Sequence, residues 1–366
     1  MKKESKIYIA GHQGLVGSAI WRDLQTKGYS NLIGRTHKEL DLLDGAAVKS
    51  FFDAEQPEYV VLAAAFVGGI MANSIYRADF IYKNLQIQQN VIGESYLHGV
   101  KKLLFLGSTC IYPREAPQPM TEDVLLTSAL EYTNEPYAIA KIAGLKMCES
   151  FNLQYGTNFI AVMPTNLYGP NDNFNLETSH VLPAIIRKVH LAKCLMQNDW
   201  LSIRADFDRY PVEGITGKSS ESLICEKLSK YGIRKVASGA AEVEIWGTGK
   251  PLREFLWSED MAAACVYLME QVNFEDVRKL SVQTGSNEVR NCHINIGTGK
   301  ELSIAELVTL VADKVGYVGG VVYNDSKPDG TLRKLTDPSK LHALGWKHTV
   351  EIAEGVQKLY AWYKDY

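Results

Sequence analysis

The chain has 366 residues, 46% of them hydrophobic and 22% charged, with a formal net charge of -3. That composition excludes a disordered chain, and the slight negative balance gives no general attraction to nucleic acid or to an anionic membrane surface. The length suits one large domain or two closely joined ones. Cys110, Cys148, Cys194, Cys225, Cys265 and Cys292 are scattered, with no CxxC pair and no His/Cys cluster at zinc spacing, so neither disulfides nor a metal site is expected. The first apolar run stops at Gly11, shorter than a signal-peptide core, and no later stretch approaches the ~20 apolar residues of a membrane span. The expected location is the cytoplasm.

In chain order, short β-branched runs alternate with longer helical patterns, the habit of βαβ units and a parallel sheet. Strands are expected at Lys6 to Ala10, Asn31 to Gly34, Tyr59 to Ala63, Lys102 to Gly107 and Phe159 to Met163. Helices are expected at Val16 to Lys27, Gly45 to Ala54, Ala72 to His98 and Tyr137 to Tyr155, with Gly28, Gly99 and Gly156 placed as left-handed caps after three of them. After Pro164 the regularity weakens, and the polar segment from about Leu201 to Ala241 reads as an inserted surface excursion. A helix from Glu259 to Met269, a strand from His293 to Ile296 and a helix from Ile304 to Val315 follow. The expected fold is α/β, a Rossmann-type doubly wound parallel sheet with a smaller interleaved substrate-binding lobe. Residues 1–170 and about 243–300 are assigned to the nucleotide-binding domain. About 171–242 and 301–366 form the lobe, with the insertion at about 201–241.

The loop between the first strand and the first helix reads GHQGLVG, with Gly11, Gly14 and Gly17 as G-x-x-G-x-x-G. Glycine there allows the tight turn, close backbone approach to a pyrophosphate and tight helix packing, while the helix-start amides face the anion. The second strand is followed through NLIGRTHKE, with Arg35 and His37 and no acid at the strand end. An acid at that place holds the ribose hydroxyls of NAD, whereas an arginine accommodates a 2'-phosphate, so the pattern favours NADP. Asp41 and Asp44 either reach the cofactor side or cap a helix.

Tyr137 and Lys141, in YAIAK, are four residues apart and share one helix face. An ammonium beside a phenol favours the phenolate, which predicts a tyrosine pKa lowered toward the range of a general acid. Ser108 follows the strand KKLLFLG and is placed to donate to an oxygen that gains charge. Tyrosine and lysine at this spacing are common in helices; the glycine loop and Ser108 give the pair its meaning.

Together these motifs resemble the extended short-chain dehydrogenase/reductase family. The stretches LAAAFVGGIMAN, LLFLGSTCIYP, VMPTNLYGPNDNF, SHVLPA, WGTGKPLREFL and SKPDGTLRK are similar in particular to the GDP-L-fucose synthases. The resemblance implies conversion of GDP-4-keto-6-deoxy-D-mannose to GDP-L-fucose, by epimerisation at C3 and C5 and NADPH-dependent reduction at C4. It implies cofactor contacts from Gly11, His12, Gln13, Gly14, Leu15, Val16 and Gly17, from Arg35, His37 and Asp41, and from Leu106, Gly107, Ser108 and Thr109. Further cofactor contacts are implied for Lys141, Pro164, Thr165, Asn166, Leu167 and His180. It assigns Ser108, Cys110, Tyr137, Lys141 and His180 to catalysis, with Cys110 and His180 as the epimerisation pair. Lys188, Trp246, Arg253, Asp329 and Lys334 are implied for the GDP-sugar. A homodimer through the helices at Ala72 to His98 and Tyr137 to Tyr155 is implied as well.

Without the resemblance, Cys110 reads as a small buried hydrophobe and His180 as a packed or capping residue. Gln13 stands where the family often carries arginine, which shifts the weight of the NADP expectation onto Arg35 and His37. Lys188 replaces a common arginine, which loses bidentate geometry at equal charge. Two rival readings remain: a sugar-nucleotide 4-epimerase or dehydratase with a retained nicotinamide, and a non-catalytic cofactor-sensing protein.

Overall fold

The computed structural model describes residues 1–236, 239–281, 288–327 and 329–365. Pro328, within SKPDGTLRK, lies outside the described residues. The chain divides into two compact units, one of residues 1–171, 254–300 and 335–350, the other of residues 172–253, 301–334 and 351–366.

The first unit is built on a six-stranded sheet in which every pair is parallel. The strands are β1 (Ile7–Ala10), β2 (Leu32–Ile33), β3 (Tyr59–Leu62), β4 (Lys102–Leu106) and β5 (Phe159–Pro164), with Ile294–Ile296 at the far edge. Their order is Ile294–Ile296, β5, β4, β3, β1, β2. Every residue of β1 and β4 is buried, as expected of parallel strands covered on both faces. The chain runs from β1 to β2 on one side and then crosses to β3 on the other. That reversal opens a crevice beyond the carboxyl ends of β1 and β3, where doubly wound sheets take ligands.

Helices α1 (Leu15–Thr26) and α2 (Gly45–Glu55) follow β1 and β2. The helix expected at Ala72 to His98 is instead two, α3 (Ile70–Ile75) and α4 (Arg77–Leu97). The break falls at Tyr76, whose φ of -99° and ψ of 39° leave the helical region. Helix α5 (Glu135–Tyr155) has Pro136 in its first turn, where a missing N–H is harmless, and ends at Gly156. Gly28, Gly99 and Gly156 all take positive φ, as their cap positions require. Lys102, buried in β4, donates to the carbonyls of Met269 at 2.9 Å and Val272 at 2.7 Å. It thereby satisfies carbonyls at the end of the helix Ser258–Gln271, which have no partner within the helix.

The second unit holds a three-stranded sheet in the order Gly320–Asn324, Ala241–Trp246, Ile233–Lys235. Helices α6 (Val181–Met196), Ile304–Val315 and Ile352–Asp365 belong to the same unit. The segment from about 201 to 241 is not the aperiodic surface excursion expected. It contains the helices Trp200–Arg209 and Glu221–Lys230 and the strand Ile233–Lys235, and it buries Ile203, Phe207, Val212, Ile224, Leu228 and Ile233. Each helix is too short for its period to stand out, yet each is capped by a side chain, Asp199 to Ser202 N and Ser220 to Leu223 N.

This segment also supplies a buried charge. Arg187 on α6 is fully buried, and its Nε donates to Asp206 Oδ1 at 2.9 Å. Its other nitrogens donate to Phe174 O at 3.0 Å and Tyr210 O at 2.6 Å, while the Tyr363 hydroxyl donates to Asp206 Oδ2. Removing one partner of such a pair strands a charge in low dielectric. Asp206→Ala is therefore expected to lower stability by about 3–5 kcal/mol in urea unfolding. Replacing both charges, with Arg187→Met and Asp206→Leu, is expected to recover most of the loss.

Among the described residues no helix is long and apolar enough to cross a membrane, and no group of three or more His, Cys, Asp or Glu side chains is placed to hold a metal ion. All six cysteines are free thiols.

Candidate active site

In the first unit the candidate residues collect at the carboxyl ends of β1, β4 and β5. Gly11 leaves β1 with a φ of +85°, and a Cβ there would lie 2.8 Å from Ala64 N. A Cβ on Gly17 would lie 2.1 Å from Gly11 O. Both glycines are thus required by the chain itself. Gly14 differs: a Cβ there would meet only Gly11 O, at 3.5 Å. Gly14 is the N-cap of α1, where no side chain caps the helix and the first turn carries no acidic residue. The open space and uncapped amides fit a dinucleotide pyrophosphate at this helix start.

Leu15 and Val16 open α1, and Gln13 is exposed. His12 packs against Trp21 at 5.5 Å between ring centroids and leaves its buried Nδ1 without a partner. Past β2, Arg35 donates from Nη2 to Glu55 Oε1 at 2.6 Å and from Nη1 to Gly34 O at 2.9 Å. His37 is exposed, with Nδ1 3.6 Å from Asp41 Oδ1. Of the two acids left open by the sequence, Asp44 is a helix cap, accepting from the amides of Ala46 and Ala47. Asp41 accepts from Leu43 N at 3.0 Å.

After β4, Gly107 lies so close to Met163 that a Cβ would stand 2.3 Å from the methionine methyl. Ser108 then caps a single turn, Thr109–Ile111, by accepting from Cys110 N. Leu106, Thr109 and Cys110 are buried. From α5, Lys141 donates from Nζ to Leu106 O at 2.8 Å and lies 5.7 Å from the Tyr137 ring centroid. The fold therefore brings Leu106, Tyr137 and Lys141 together, and the Cys110 thiol is coupled electrostatically to both α5 side chains.

The expected lowering of the Tyr137 pKa does not occur. Burial is the largest influence and pushes the phenol above its ordinary value, with Cys110 adding to the rise. The same burial draws Lys141 down to about 8. In the free chain its ammonium donates to the Leu106 carbonyl and does not offset the effect of burial on the phenol. Tyr137 keeps its proton at neutral pH, as a donor must.

After β5, Thr165 N donates to Ile296 O at 3.0 Å, and Asn166 Nδ2 donates to Glu254 O at 2.8 Å. Pro164 ends β5, while Asn166 and Leu167 run in a short strand parallel to Phe255–Trp257. Two positioning residues here were not singled out from the sequence. Glu254, fully buried, accepts from Thr298 N at 2.6 Å, Gly299 N at 2.8 Å and Thr336 Oγ1 at 2.6 Å. Its signal was an acid inside the apolar run LREFLW. Asn84 bonds both the amide and the carbonyl of Phe66 at 2.9 Å, fixing the loop after β3.

The second unit holds His180, Lys188, Trp246, Arg253, Asp329 and Lys334. His180 occupies the N-cap position of α6 but makes no side-chain cap bond, and its ring is exposed. Desolvation by the surrounding protein lowers its pKa, which favours the neutral, proton-accepting ring. Lys188 donates to Glu244 O at 3.0 Å, and burial draws its pKa down to about 8. Trp246 ends the same strand as Glu244, 61% exposed, with Lys327 Nζ 5.3 Å from its ring centroid. Asp329 accepts from Thr248 N and Oγ1, both at 2.8 Å. Arg253 lies against Gly330, where a Cβ would stand 2.9 Å from Nη2, and burial lowers its pKa against a partial offset from Asp329. Lys334 is half-buried. Lys188, Trp246, Arg253 and Asp329 thus group near the end of the strand Ala241–Trp246.

The NAD dependent epimerase/dehydratase family matches residues 7–206 and 216–285. The chain is 49% identical to GDP-L-fucose synthase 1 of Arabidopsis thaliana, over 99% of this chain and 94% of that one. It is 45% identical to GDP-L-fucose synthase of Escherichia coli (strain K12), over 98% and 97%. Among solved structures it resembles a GDP-D-glycero-L-gluco-heptose synthase from Campylobacter jejuni, determined in the presence of NADPH. That likeness has a TM-score of 0.90 and 44% identity, and covers 100% of this chain and 99% of that one.

The glycine geometry separates two roles. Gly17→Ala is expected to destabilise the chain by more than about 2 kcal/mol, because its methyl has no room. Gly14→Ala is expected to leave the melting temperature nearly unchanged while weakening dinucleotide binding by calorimetry. A Gly14→Ala variant that binds as well as the parent would show that this space does not face the ligand.

Proposed function

Because this chain belongs to the NAD-dependent epimerase/dehydratase family, and within it to the GDP-L-fucose synthases, we propose that it converts GDP-4-keto-6-deoxy-D-mannose to GDP-L-fucose with NADPH. The observation that carries the reading is the gathering of Tyr137, Lys141 and Cys110 beside the carboxyl end of β4, next to a glycine loop with room for a pyrophosphate. The nicotinamide cofactor, when bound, supplies the hydride for C4. NADP is favoured by Arg35 at the end of β2 and by the lack of an acid there.

The protein's own groups then have distinct tasks. A proton on a carbon beside a ketone becomes removable when the enolate oxygen is stabilised, and Ser108 and Tyr137 are the proposed donors to that oxygen. Cys110 and His180 form the proposed acid and base pair. At C3 and again at C5 one removes a proton and the other returns one to the opposite face, with no net change in protons. In the reduction, Tyr137 gives its proton to the C4 oxygen as hydride reaches the carbon. Lys141 then favours the resulting tyrosinate. Lys188, Arg253 and Lys334 are proposed to offset the diphosphate, with Trp246 packing against the nucleotide and Asp329 near it.

The full-length likeness to a GDP-heptose synthase favours a second reading, in which the same chemistry acts on a GDP-4-keto-heptose. We also propose a homodimer through α4 and α5, which expose Tyr82, Leu97, Leu153 and Tyr155.

The test is to mix the purified protein with GDP-4-keto-6-deoxy-D-mannose and NADPH or NADH, following absorbance and the sugar by NMR. One equivalent of NADPH oxidised per GDP-L-fucose formed is the expected result. No oxidation would remove the fucose reading, and turnover of a GDP-4-keto-heptose alone would install the second. Cys110→Ser is expected to stop inversion at C3 and C5 while C4 reduction persists; unchanged fucose output would remove that role. With Lys141 near 8, the ammonium is present below that pH and lost above it. The reduction rate should therefore fall as pH rises through about 8. A rate that stays level well above that pH would remove the charge of Lys141 from the mechanism.

A further inference from the structure

The region around Arg35 contains a carboxylate that a simple reading of cofactor preference leaves out. Glu55, the last residue of α2, accepts from Arg35 Nη2 at 2.6 Å. It is itself held in place, because Lys6 Nζ donates to Glu55 O at 2.7 Å and lies 3.4 Å from Glu55 Oε2. Phe51, one turn earlier on α2, lies 5.6 Å from the guanidinium. The side chains of Arg35 and Glu55 remain 35% and 26% exposed, so the pair is open to a ligand. A second carboxylate, Glu39, is tied to Thr36 and has its pKa lowered mainly by those hydrogen bonds, with a smaller contribution from Arg35. Gln13 in the glycine loop adds no charge. The one arginine at the end of β2 is therefore already bonded to an anion, one that it shares with Lys6.

We propose that Glu55 is a specificity-determining residue, one that fixes the Arg35 guanidinium and offsets its charge, so that the chain prefers NADP over NAD only weakly. The inference rests on the nicotinamide-dinucleotide reading above. An arginine carries five N–H donors, and Glu55 and Gly34 O take one each, so donors remain for a phosphate. A 2'-phosphate bound there would stand beside a fixed carboxylate, and like charges held close oppose binding. NAD carries no such group and is indifferent to Glu55. Glu55→Gln keeps an acceptor for Arg35 and removes the negative charge.

The experiment is calorimetric titration of NADP+ and NAD+ into the parent chain, Glu55→Gln, Arg35→Met and the double variant. Glu55→Gln is expected to tighten NADP+ by roughly five- to tenfold and to move NAD+ by less than about twofold. In the Arg35→Met background most of that gain should vanish. An NADP+ affinity that is unchanged or weaker in Glu55→Gln overturns the proposal, as does an equal gain for NAD+. Glu55→Ala, checked for native circular dichroism, provides the same comparison if the glutamine variant folds poorly. A parent chain that binds neither dinucleotide overturns the cofactor reading and this inference together. A parent that binds both, with an inert Glu55→Gln, removes only the latter.

Discussion

The carbonyl oxygen of Gly11 has so little space around it that a single methyl on Gly17 would come within 2.1 Å of it. Close approach of helix to turn at that point sets where α1 begins. It also leaves Gly14 as the one glycine of the three that the protein does not need for its own packing. The same turn is pressed from the other side, where Gly11 meets the main chain of Ala64 beyond β3. The crevice at the sheet's reversal is therefore defined by backbone against backbone, which leaves little freedom for the loop to adjust.

Burial governs the electrostatics that follow. It raises Tyr137 and lowers Lys141 by the same cause, the penalty for charge in low dielectric. The resting pair thus consists of a neutral phenol and an ammonium tied to the Leu106 carbonyl. A charged or strongly polar ligand entering that space replaces the missing solvation, so the acidity of the pair belongs to the complex more than to the free chain. Lys188 in the second unit carries the same signature, a lysine drawn down to about 8 with a main-chain carbonyl as its partner.

Much of this was legible in the sequence because its determinants are local. The glycine loop, the Tyr137 and Lys141 spacing, the caps at Gly28, Gly99 and Gly156 and the burial of the strands all depend on neighbours within a few residues. What escaped depends on partners far along the chain. Glu254 is bound by residues about 45 and 80 positions away, Arg35 by Glu55, and Arg187 by an aspartate inside a segment that looked featureless. The break at Tyr76 escaped for another reason: the apolar pattern runs on through it, and only the backbone turns. The direction of the Tyr137 pKa could not be foreseen because spacing reveals a neighbour but not the depth at which both are buried.

Glu254 has a consequence for how the chain is made. Its carboxylate is fully buried, and part of its hydrogen bonding comes from Thr336, at the start of the first unit's last segment. While the chain is being synthesised, every strand of the six-stranded sheet is made before Thr336. During that interval a carboxylate destined for the interior lacks the two hydrogen bonds that Thr336 supplies, and residues 335–350 have yet to join the unit to which they belong. The first unit therefore closes late: a chain interrupted shortly before Thr336 holds all the strands of the sheet but leaves a buried carboxylate short of two hydrogen bonds.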